Sequence, residues 1–286
     1  ILSSLMVDRF VDGDSANNHP MNRPDVLPQA DYHGGDLAGI TQKIKDGYFN
    51  KMGFTTIWMT PVVQNPMEPY GEQPNPRTKF SGYHGYWPIS STKVDSRFGT
   101  DEELKELVNT AHEHGLNVIL DYVANHVHQE HPMFKNDPTI CTPLILPDGS
   151  KNIAQWNEHR LTTWFDEFIP TLDYGRSEIV ETMTDSALYW IEHFGLDGFR
   201  HDACKHVPET FWRTLTKKIK ERVEIPSGKP FYQVGESYGS PQLISSYVNS
   251  GMLTGQFDFN VSDEASSVFA LNSEDFTRVS NTLNTS

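Results

Sequence analysis

The chain has 286 residues, of which 37% are hydrophobic, and it carries a formal net charge of −15 at pH 7. This length can bury a full core, either as one large α/β domain or as two smaller ones. The negative charge argues against nucleic acid or an anionic membrane as a partner, because both would be repelled, and it favours a neutral ligand.

Neither the cysteines nor the chain start indicates a cellular compartment. Cys141 and Cys204 are too few for a disulfide framework and lack a zinc-type spacing, although a single bridge between them stays an open alternative. No apolar run is long enough to span a bilayer. No initiator Met and no basic-then-apolar leader precede Ile1, so we expect a processed or excerpted chain.

Strand-like apolar runs alternate with helical periodicity along the chain. The runs are Leu2–Phe10, Thr55–Pro61, Asn117–Val123, Gly198–Asp202, Phe231–Glu236 and Gln256–Asn260. Strands that alternate with helices favour parallel pairing through right-handed crossovers. The pattern therefore predicts an α/β fold with a parallel sheet.

The clearest predicted helix lies between the second and third runs. Thr100 and Glu103 form a capping-box pattern, an apolar stripe follows, and Gly115 ends the helix. A second helical stripe covers residues 179–194, and a weaker one follows Pro208. Each of these helices leads into the next strand-like run.

Two long segments interrupt this alternation. Gln64–Tyr83 is rich in Pro and Gly, and residues 125–173 contain prolines and aromatic residues without a sustained period. Both follow the carboxyl ends of predicted strands, where parallel α/β folds place their sites. We predict a long loop for the first segment and an insertion between a strand and a helix for the second.

The segment GFRHDACKH, Gly198–His206, carries the strongest chemical signal. Side chains at i and i+2 of a strand share a face, so Arg200 and Asp202 should point into the same space, while His201 faces the other way. A neighbouring guanidinium favours the ionised form of the carboxylate. Glu236, at the end of the next run, offers a second carboxyl as proton donor, and this pair suggests glycosyl transfer.

Simpler interpretations compete with these assignments. Arg200 and Asp202 could form a structural ion pair, and Glu236 alone could be a surface acid. Two other segments hold candidate ligand-binding residues with simpler interpretations: Tyr86 could be a core aromatic residue, and His84 and His126, taken singly, are more often satisfied polar residues than ligands. Cys204 is more typical of a small buried hydrophobic residue than of a reactive thiol.

Five ordered segments give the chain a specific resemblance. They are YHGYW at 83–87, DYVANH at 121–126, IPTLD at 169–173, GFRHDACKH at 198–206 and VGES at 234–237. Together they resemble the motifs of the α-amylase family of glycoside hydrolases and transglycosylases. The resemblance implies a (β/α)8 TIM-type barrel with a loop-rich subdomain inserted after the third strand. The barrel would begin with residues 1–124, the insertion would cover 125–173, and the barrel would continue over 174–286.

The same resemblance implies residue roles. Asp202 matches the nucleophile, Arg200 the arginine that orients it, and Glu236 the general acid that then becomes the base. The residues that match substrate-binding positions are His84, Tyr86, His126, Lys205 and His206. The implied activity is retaining cleavage of α-1,4-glucosidic bonds in starch-type glucans or maltooligosaccharides. A cyclodextrin-forming transglycosylase and a non-catalytic carbohydrate-binding relative stay open as alternatives.

A polar loop near the start of the chain is dense in the hard oxygen ligands that Ca²⁺ prefers, although ordinary solvated loop polarity is the alternative. The resemblance implies one structural calcium site formed by Asp12, Asp14, Asn17, Asn18, the Gly34 carbonyl and Asp36. It implies a second site from Asn125, Asp173 and the carbonyl of His206. By the same resemblance we expect a secreted or periplasmic protein.

The chain departs from the family pattern in two respects. The position occupied by His201 is usually apolar. The family's third acid, in an Asn-His-Asp motif on the seventh strand, is not found after Glu236. The six strand-like runs correspond to six of eight barrel units. We therefore expect a longer protein whose remainder closes the barrel, and little or no hydrolysis by these 286 residues alone.

Overall fold

A curled parallel sheet organises the residues that the computed structural model describes, 1–270 and 276–284. Within these residues the strands are β1 (Leu2–Leu5), β2 (Thr56–Met59), β3 (Tyr70–Pro74), β4 (Arg77–Phe80), β5 (Asn117–Tyr122), β6 (Gly198–His201), β7 (Tyr232–Gly235) and β8 (Gly255–Gln256). Six of them form one sheet in the order β1-β2-β5-β6-β7-β8, with every pair parallel. This half-barrel confirms the predicted α/β class and the partial TIM-type architecture.

Helices connect the parallel strands. The α-helices are α1 (Val7–Phe10), α2 (Leu37–Lys45), α3 (Tyr48–Lys51), α4 (Asp101–Glu113), α5 (Pro132–Asn136), α6 (Ser177–Phe194), α7 (Glu209–Ile219), α8 (Ile225–Ser227), α9 (Pro241–Ser246), α10 (Phe259–Ala265) and α11 (Phe276–Leu283). Short 3-10 turns cover Ser15–Asn17, Pro28–Ala30, Pro138–Ile140 and Cys204–His206, and π-helical turns cover Lys220–Glu224 and Ser266–Ala270. None of the helices in the described ranges combines the length and apolar character needed to cross a membrane.

The predicted helix signals are confirmed. Thr100 caps α4: its Oγ1 accepts from the Glu103 backbone at 3.2 Å, and Glu103 Oε2 accepts from the Thr100 backbone at 2.8 Å. This reciprocal pair satisfies two amide groups that the first helical turn leaves without partners. The helix α6 ends at Gly195, whose φ of 71° suits a residue without a side chain. The weaker stripe after Pro208 forms α7.

Strand register places the ends of three strands beside one another. In the β5–β6 ladder Asp121 is opposite Arg200, and in the β6–β7 ladder Arg200 is opposite Val234. Because all these strands run in the same direction, the residues that follow them meet at one rim of the sheet. The side chains of DYVANH, GFRHDACKH and VGES are thereby gathered in one place.

Two predicted strands are shorter than expected. The run Leu2–Phe10 stops as a strand at Leu5, and its second half becomes α1, where the Val7 amide donates to Thr60 Oγ1 at 3.1 Å instead of to a strand. The run Gln256–Asn260 contributes only its first residue to β8. Asp258 ends it by accepting from the Val261 amide at 3.0 Å, which caps α10.

The loop predicted over Gln64–Tyr83 contains an antiparallel hairpin of β3 and β4. Its residues are mostly exposed or half-buried, so they lack the alternating apolar pattern by which a strand is recognised. Contacts with the preceding part of the chain support it: the Leu27 amide donates to Thr78 Oγ1 at 2.9 Å, and the Lys79 amide donates to the Asp25 carbonyl at 2.8 Å.

Residues 125–173 fold back on themselves. Antiparallel bridges join His126 to Thr171 and Cys141 to Leu172, so the segment leaves and returns at neighbouring points. The boundaries 1–124, 125–173 and 174–286 stay a prediction, and residues 271–275 and 285–286 lie outside the described part of the chain. Cys141 and Cys204 are both buried and free, so the alternative of a bridge between them is wrong.

The packing behind β6 gives a testable measure of core stability. Phe199 is fully buried, and its ring lies 5.2 Å from that of Tyr122 and 5.3 Å from that of Phe231. We expect Phe199→Ala to lower the free energy of unfolding by about 3–5 kcal/mol, because it leaves a cavity among rings that cannot collapse fully. Urea denaturation followed by circular dichroism measures this. Ile225→Ala, at a site 75% exposed, is the control and should change almost nothing. Equal losses in the two variants would contradict this account of the core.

Candidate active site

The guanidinium of Arg200 joins three carboxylates. Its Nη1 donates to Asp121 Oδ1 at 2.8 Å and to Asp202 Oδ1 at 2.9 Å, and its Nη2 lies 2.7 Å from Glu236 Oε2. Arg200 lies within β6, Asp202 follows that strand, and Glu236 follows β7. The structure therefore brings together the three residues that the sequence nominated, and it adds a fourth.

Asp121 is a site residue that the sequence motifs did not nominate. It lies at the carboxyl end of β5, opposite Arg200, and it also accepts from Tyr86 Oη at 2.8 Å and from Trp58 Nε1 at 3.2 Å. Asp121 is the first residue of the DYVANH motif, and this was its only signal in the sequence. Its contact with Arg200 depends on the pairing of β5 with β6, which the sequence does not specify. Trp58, on β2, also gives no signal in the sequence beyond that of a strand aromatic residue.

The three carboxylates differ in exposure. The side chain of Asp121 is fully buried, that of Asp202 is 14% exposed, and that of Glu236 is 36% exposed. Burial raises the pKa of Asp121 to about 7, against the lowering effect of Arg200. A ligand can therefore reach Asp202 and Glu236, whereas Asp121 can only support the site from behind.

The prediction that Arg200 keeps the pKa of Asp202 low needs correction. Burial raises the pKa of Asp202, and this outweighs the lowering effects of Arg200 and of a hydrogen bond with Glu236. Burial also raises the pKa of Glu236, against the effect of Arg200, and the negative charge of Asp202 raises it further. The shared hydrogen bond lowers the pKa of Asp202 but raises that of Glu236, so it separates the two groups in the direction that the sequence argument required.

Tyr86 forms a wall of the site and is held from several sides. Its hydroxyl donates to Asp121, its backbone amide donates to His84 Nδ1 at 3.0 Å, and its carbonyl accepts from His126 Nε2 at 3.0 Å. Gly85 permits a close approach to the end of β2, since a Cβ there would lie 2.1 Å from the Pro61 carbonyl oxygen. The YHGYW segment is therefore fixed against the sheet.

The two histidines of this wall, His84 and His126, differ in whether a ring nitrogen is available to hydrogen-bond a ligand. His126 is buried, and its second ring nitrogen lies 3.3 Å from Asn125 Nδ2, so both of its nitrogens have protein partners. His84 uses Nδ1 for Tyr86 and leaves Nε2–H available. Burial lowers the pKa of each to about 4, so both are neutral at pH 7.

The other side of the cleft is aromatic. The ring of His206 lies 5.6 Å from that of Trp156 and 5.1 Å from that of Phe165, and its Nδ1 donates to the Arg160 carbonyl at 2.7 Å. Lys205 Nζ donates to the Tyr238 carbonyl at 2.6 Å. The cleft is lined by Trp156, Asn157, Phe165, Ala203, Lys205, His206, Glu236, Tyr238 and Gly239.

The backbone between Asp202 and the turn that follows is tightly held. Ala203 adopts φ 47° and ψ 37°, a left-handed conformation that costs a residue with a side chain about 1–3 kcal/mol. In this conformation its amide points to Glu236 Oε2 at 3.4 Å, and the next amide, of Cys204, donates to the Glu236 carbonyl at 2.8 Å. The Cys204 thiol is buried and its pKa is raised to about 12, so it is not a nucleophile.

The residues nominated for the first calcium site lie together. Asn18 Nδ2 donates to Asp12 Oδ2 at 2.6 Å, Asn17 Nδ2 donates to Asp36 Oδ2 at 3.2 Å, and a Cβ on Gly34 would lie 2.5 Å from Asn18 Oδ1. Asp36 also accepts from the backbone of Asp14 at 2.8 Å. The oxygens Asn17 Oδ1 and Asn18 Oδ1 are buried without a hydrogen-bond partner.

The second nominated set is only partly assembled by direct bonds. The Leu172 amide donates to the Asn125 carbonyl at 3.0 Å, which brings Asp173 beside Asn125, and Asn125 Oδ1 is buried without a partner. The ring of His206 bonds to the Arg160 carbonyl, whereas the nominated ligand is the backbone carbonyl of His206. Across residues 1–270 and 276–284, no cluster of three His, Cys, Asp or Glu side chains could hold a metal ion, so binding there would depend on amide and carbonyl oxygens.

Comparison with known proteins identifies the family. The profile described as the catalytic domain of α-amylase matches residues 4–142 and 148–285, and the chain belongs to this family. The crystal structure of an α-amylase from Anoxybacillus is similar with a TM-score of 0.80 at 32% identity, over 99% of this chain and 57% of that one. The predicted family is therefore confirmed.

Two relatives of this chain are named for different activities, one for hydrolysis and one for glycosyl transfer. An α-amylase of Streptomyces lividans is 28% identical over 289 residues, which cover 82% of this chain and 31% of that protein. A cyclomaltodextrin glucanotransferase of Paenibacillus macerans is 28% identical over 304 residues, which cover 98% of this chain and 40% of that protein. The chain thus spans about a third to two fifths of the length of these relatives.

The buried contact between Asp121 and Arg200 predicts a large stability effect. We expect Asp121→Ala to lower the free energy of unfolding by about 3–5 kcal/mol, because it removes a partner of a buried guanidinium. Asp121→Asn keeps an acceptor oxygen and should cost less. Asp25→Ala is the matched control, since Asp25 forms an exposed ion pair with Arg23 at 2.9 Å and its loss should matter far less. Chemical denaturation of all three variants tests this, and similar losses for Asp121→Ala and Asp25→Ala would contradict it.

Proposed function

We propose that the full-length protein breaks α-1,4-glucosidic bonds of starch-type glucans or maltooligosaccharides with retention of configuration. The observation that carries the proposal is the pair Asp202 and Glu236, held by one guanidinium at the ends of adjacent parallel strands. Membership of the α-amylase family supports the substrate class.

The closeness of the two carboxyl groups supports retention. An inverting mechanism needs space for a water molecule between its acid and its base, whereas a retaining mechanism needs the second carboxylate near enough to attack the sugar. Asp202 and Glu236 are held by the two terminal nitrogens of the same guanidinium, at 2.9 Å from Nη1 and 2.7 Å from Nη2, so the two carboxyl groups lie close together. This arrangement favours double displacement.

Each residue then has a role that its contacts support. Glu236, with its raised pKa, gives its proton to the departing glycosidic oxygen, and Asp202 attacks the anomeric carbon to form a glycosyl-enzyme. Glu236 next removes a proton from the incoming hydroxyl, which completes the second displacement. Arg200 orients Asp202, and Asp121 holds Arg200 and Tyr86 in place.

The walls of the cleft suit a neutral sugar. We propose that Tyr86 offers an aromatic face to the sugar that is cleaved and that His84 donates from Nε2 to one of its hydroxyls, while His126 supports the Tyr86 backbone. On the leaving-group side, Lys205 and His206 lie beside the aromatic rings that line the cleft.

Transfer to a sugar is the second candidate function. It differs from hydrolysis only in the acceptor of the glycosyl group, and the glucanotransferase relative shares most of this chain. Exposed aromatic residues on the leaving-group side, such as Tyr238 at 64% exposure and Trp156 at 38%, could stack against an acceptor sugar. We also propose a secreted or periplasmic location, in keeping with an acidic protein that acts on a polymeric neutral glucan.

We propose that calcium clamps the loops around the cleft. Buried carbonyl oxygens without partners are unfavourable unless a cation or water satisfies them, and Asn17, Asn18 and Asn125 each present one. The first site would use Asp12, Asp14, Asn17, Asn18, the Gly34 carbonyl and Asp36. The second would use Asn125, Asp173 and the His206 carbonyl. Bound calcium would supply positive charge that stabilises these loops.

The acid assignment is tested by Glu236→Gln. We expect turnover of soluble starch by the full-length protein to fall about 10²–10⁴-fold with binding largely retained, because the amide cannot transfer a proton. Glu221→Gln, on the exposed side of α7's continuation, is the control and should leave turnover unchanged. Separation of wild-type products by size distinguishes hydrolysis, which gives short linear sugars, from transfer, which gives cyclic or elongated ones. Near-normal rates for Glu236→Gln would refute the assignment, and binding without any product would favour a carbohydrate-binding relative.

The calcium proposal predicts a chelator-sensitive stability. At a free Ca²⁺ concentration of 100 times Kd, each site adds about 2.7 kcal/mol to the unfolding free energy, so EDTA should lower the unfolding temperature and added Ca²⁺ should restore it. Asp12→Ala should reduce this response, whereas Asp46→Ala, at an exposed position on another loop, should preserve it. Differential scanning calorimetry measures the shift. An unfolding temperature indifferent to EDTA would overturn the proposal.

A further inference from the structure

His201 lies between Arg200 and Asp202 but on the opposite face of β6. Its side chain is fully buried among aromatic rings, with ring centroids 4.6 Å from Trp212, 5.5 Å from Phe199 and 6.3 Å from Tyr122. A histidine buried here requires a specific hydrogen-bond partner.

The partner is Gln233, and the hydrogen bonds continue from it to Thr216 and then to the Met252 carbonyl. We call this chain of four groups, which begins at His201, the 201 relay. Thr216 Oγ1 donates to Met252 O at 2.7 Å, so it accepts from Gln233 Nε2 at 2.9 Å. The amide of Gln233 therefore turns its oxygen to His201 Nε2, 2.9 Å away. Because that oxygen only accepts, His201 carries a proton on Nε2. Its Nδ1 is buried without a hydrogen-bond partner, and burial lowers the pKa of His201 to about 3, so the ring is neutral at pH 7.

The 201 relay joins the elements that carry the two carboxyl groups. His201 lies one residue before Asp202 on β6, Gln233 lies three residues before Glu236 on β7, and Thr216 lies on α7. The backbone repeats the connection, since the Glu236 amide donates to the His201 carbonyl at 2.9 Å. The relay thus ties β6 to β7 on the side of the sheet that faces away from the cleft.

We propose that His201 is a positioning residue, which acts through the 201 relay to hold Asp202 and Glu236 beside each other on the guanidinium of Arg200. The proposal rests on the function proposed above, in which these two groups are the catalytic pair. An apolar side chain would fill the space but would leave the Gln233 oxygen buried without a donor. Relieving that loss requires β7 to shift against β6, and the distance between the carboxyl groups shifts with it.

The test is His201→Leu in the full-length protein, assayed on maltooligosaccharides. We expect kcat to fall about tenfold, because a small misplacement of reacting groups is costly, while KM stays within about twofold. The alkaline limb of the kcat/KM profile should move to lower pH. Asp202 raises the pKa of Glu236, so a weaker contact lets the general acid lose its proton at lower pH.

Two further variants separate positioning from stability alone. His201→Gln carries an Nε2 donor at similar reach and should restore most of kcat and the position of the alkaline limb. His131→Leu removes another buried histidine, whose Nε2 lies 3.1 Å from Ser91 Oγ. It should lower the unfolding temperature without altering kcat or the pH profile.

Gln233→Met keeps the proposal testable if His201→Leu does not fold. It removes the acceptor of the 201 relay at nearly constant volume, so it should lower kcat and move the alkaline limb in the same direction. Wild-type kcat and pH limbs in a folded His201→Leu or Gln233→Met variant would overturn the proposal while the proposed function stands. A wild-type protein that turns over no α-glucan would instead overturn the proposed function.

Discussion

The site depends on one buried cation shared among three carboxylates. Arg200 is almost wholly buried, and it contacts Asp121, Asp202 and Glu236, which come from three adjacent strands. Four ionisable groups cannot be removed from water unless they satisfy one another. These contacts depend on the parallel register of β5, β6 and β7. If one strand slipped by a residue, one of the charged groups would lose its partner.

The same cluster sets the protonation that the chemistry needs. A single guanidinium cannot neutralise three ionised carboxylates, and the hydrogen bond between Asp202 and Glu236 requires a proton on one of them. The hydrogen bond between them, which lowers the pKa of Asp202 and raises that of Glu236, favours Glu236 as the group that keeps it. Asp121 takes no part in the proposed bond breaking, yet it orients both Arg200 and the aromatic face of Tyr86.

Much of the fold follows from local pattern. The Thr100 capping box, the stripe of α6 and the strands β2, β5, β6 and β7 form where the sequence predicts them, because each depends on residues close in the chain. The first run is shortened because the side chain of Thr60, 53 positions away, accepts from the Val7 amide, a contact that local propensity does not contain. The sixth run is shortened because Asp258 caps α10, and this local signal lies inside the apolar run. The β3–β4 hairpin was missed because its exposed residues carry no alternating pattern.

By itself the sequence determined the residue types of the site and, through ordered motifs, the family. It placed Arg200 and Asp202 on one face of a strand and His201 on the other, since side-chain direction alternates along any strand. Only the tertiary structure decided which strands are neighbours. That pairing made Asp121 a partner of Arg200 and connected His201 to Gln233, and the fold placed the His126 ring against the Tyr86 carbonyl. These contacts join residues 32 or more positions apart, and local periodicity carries no information about distances of that kind.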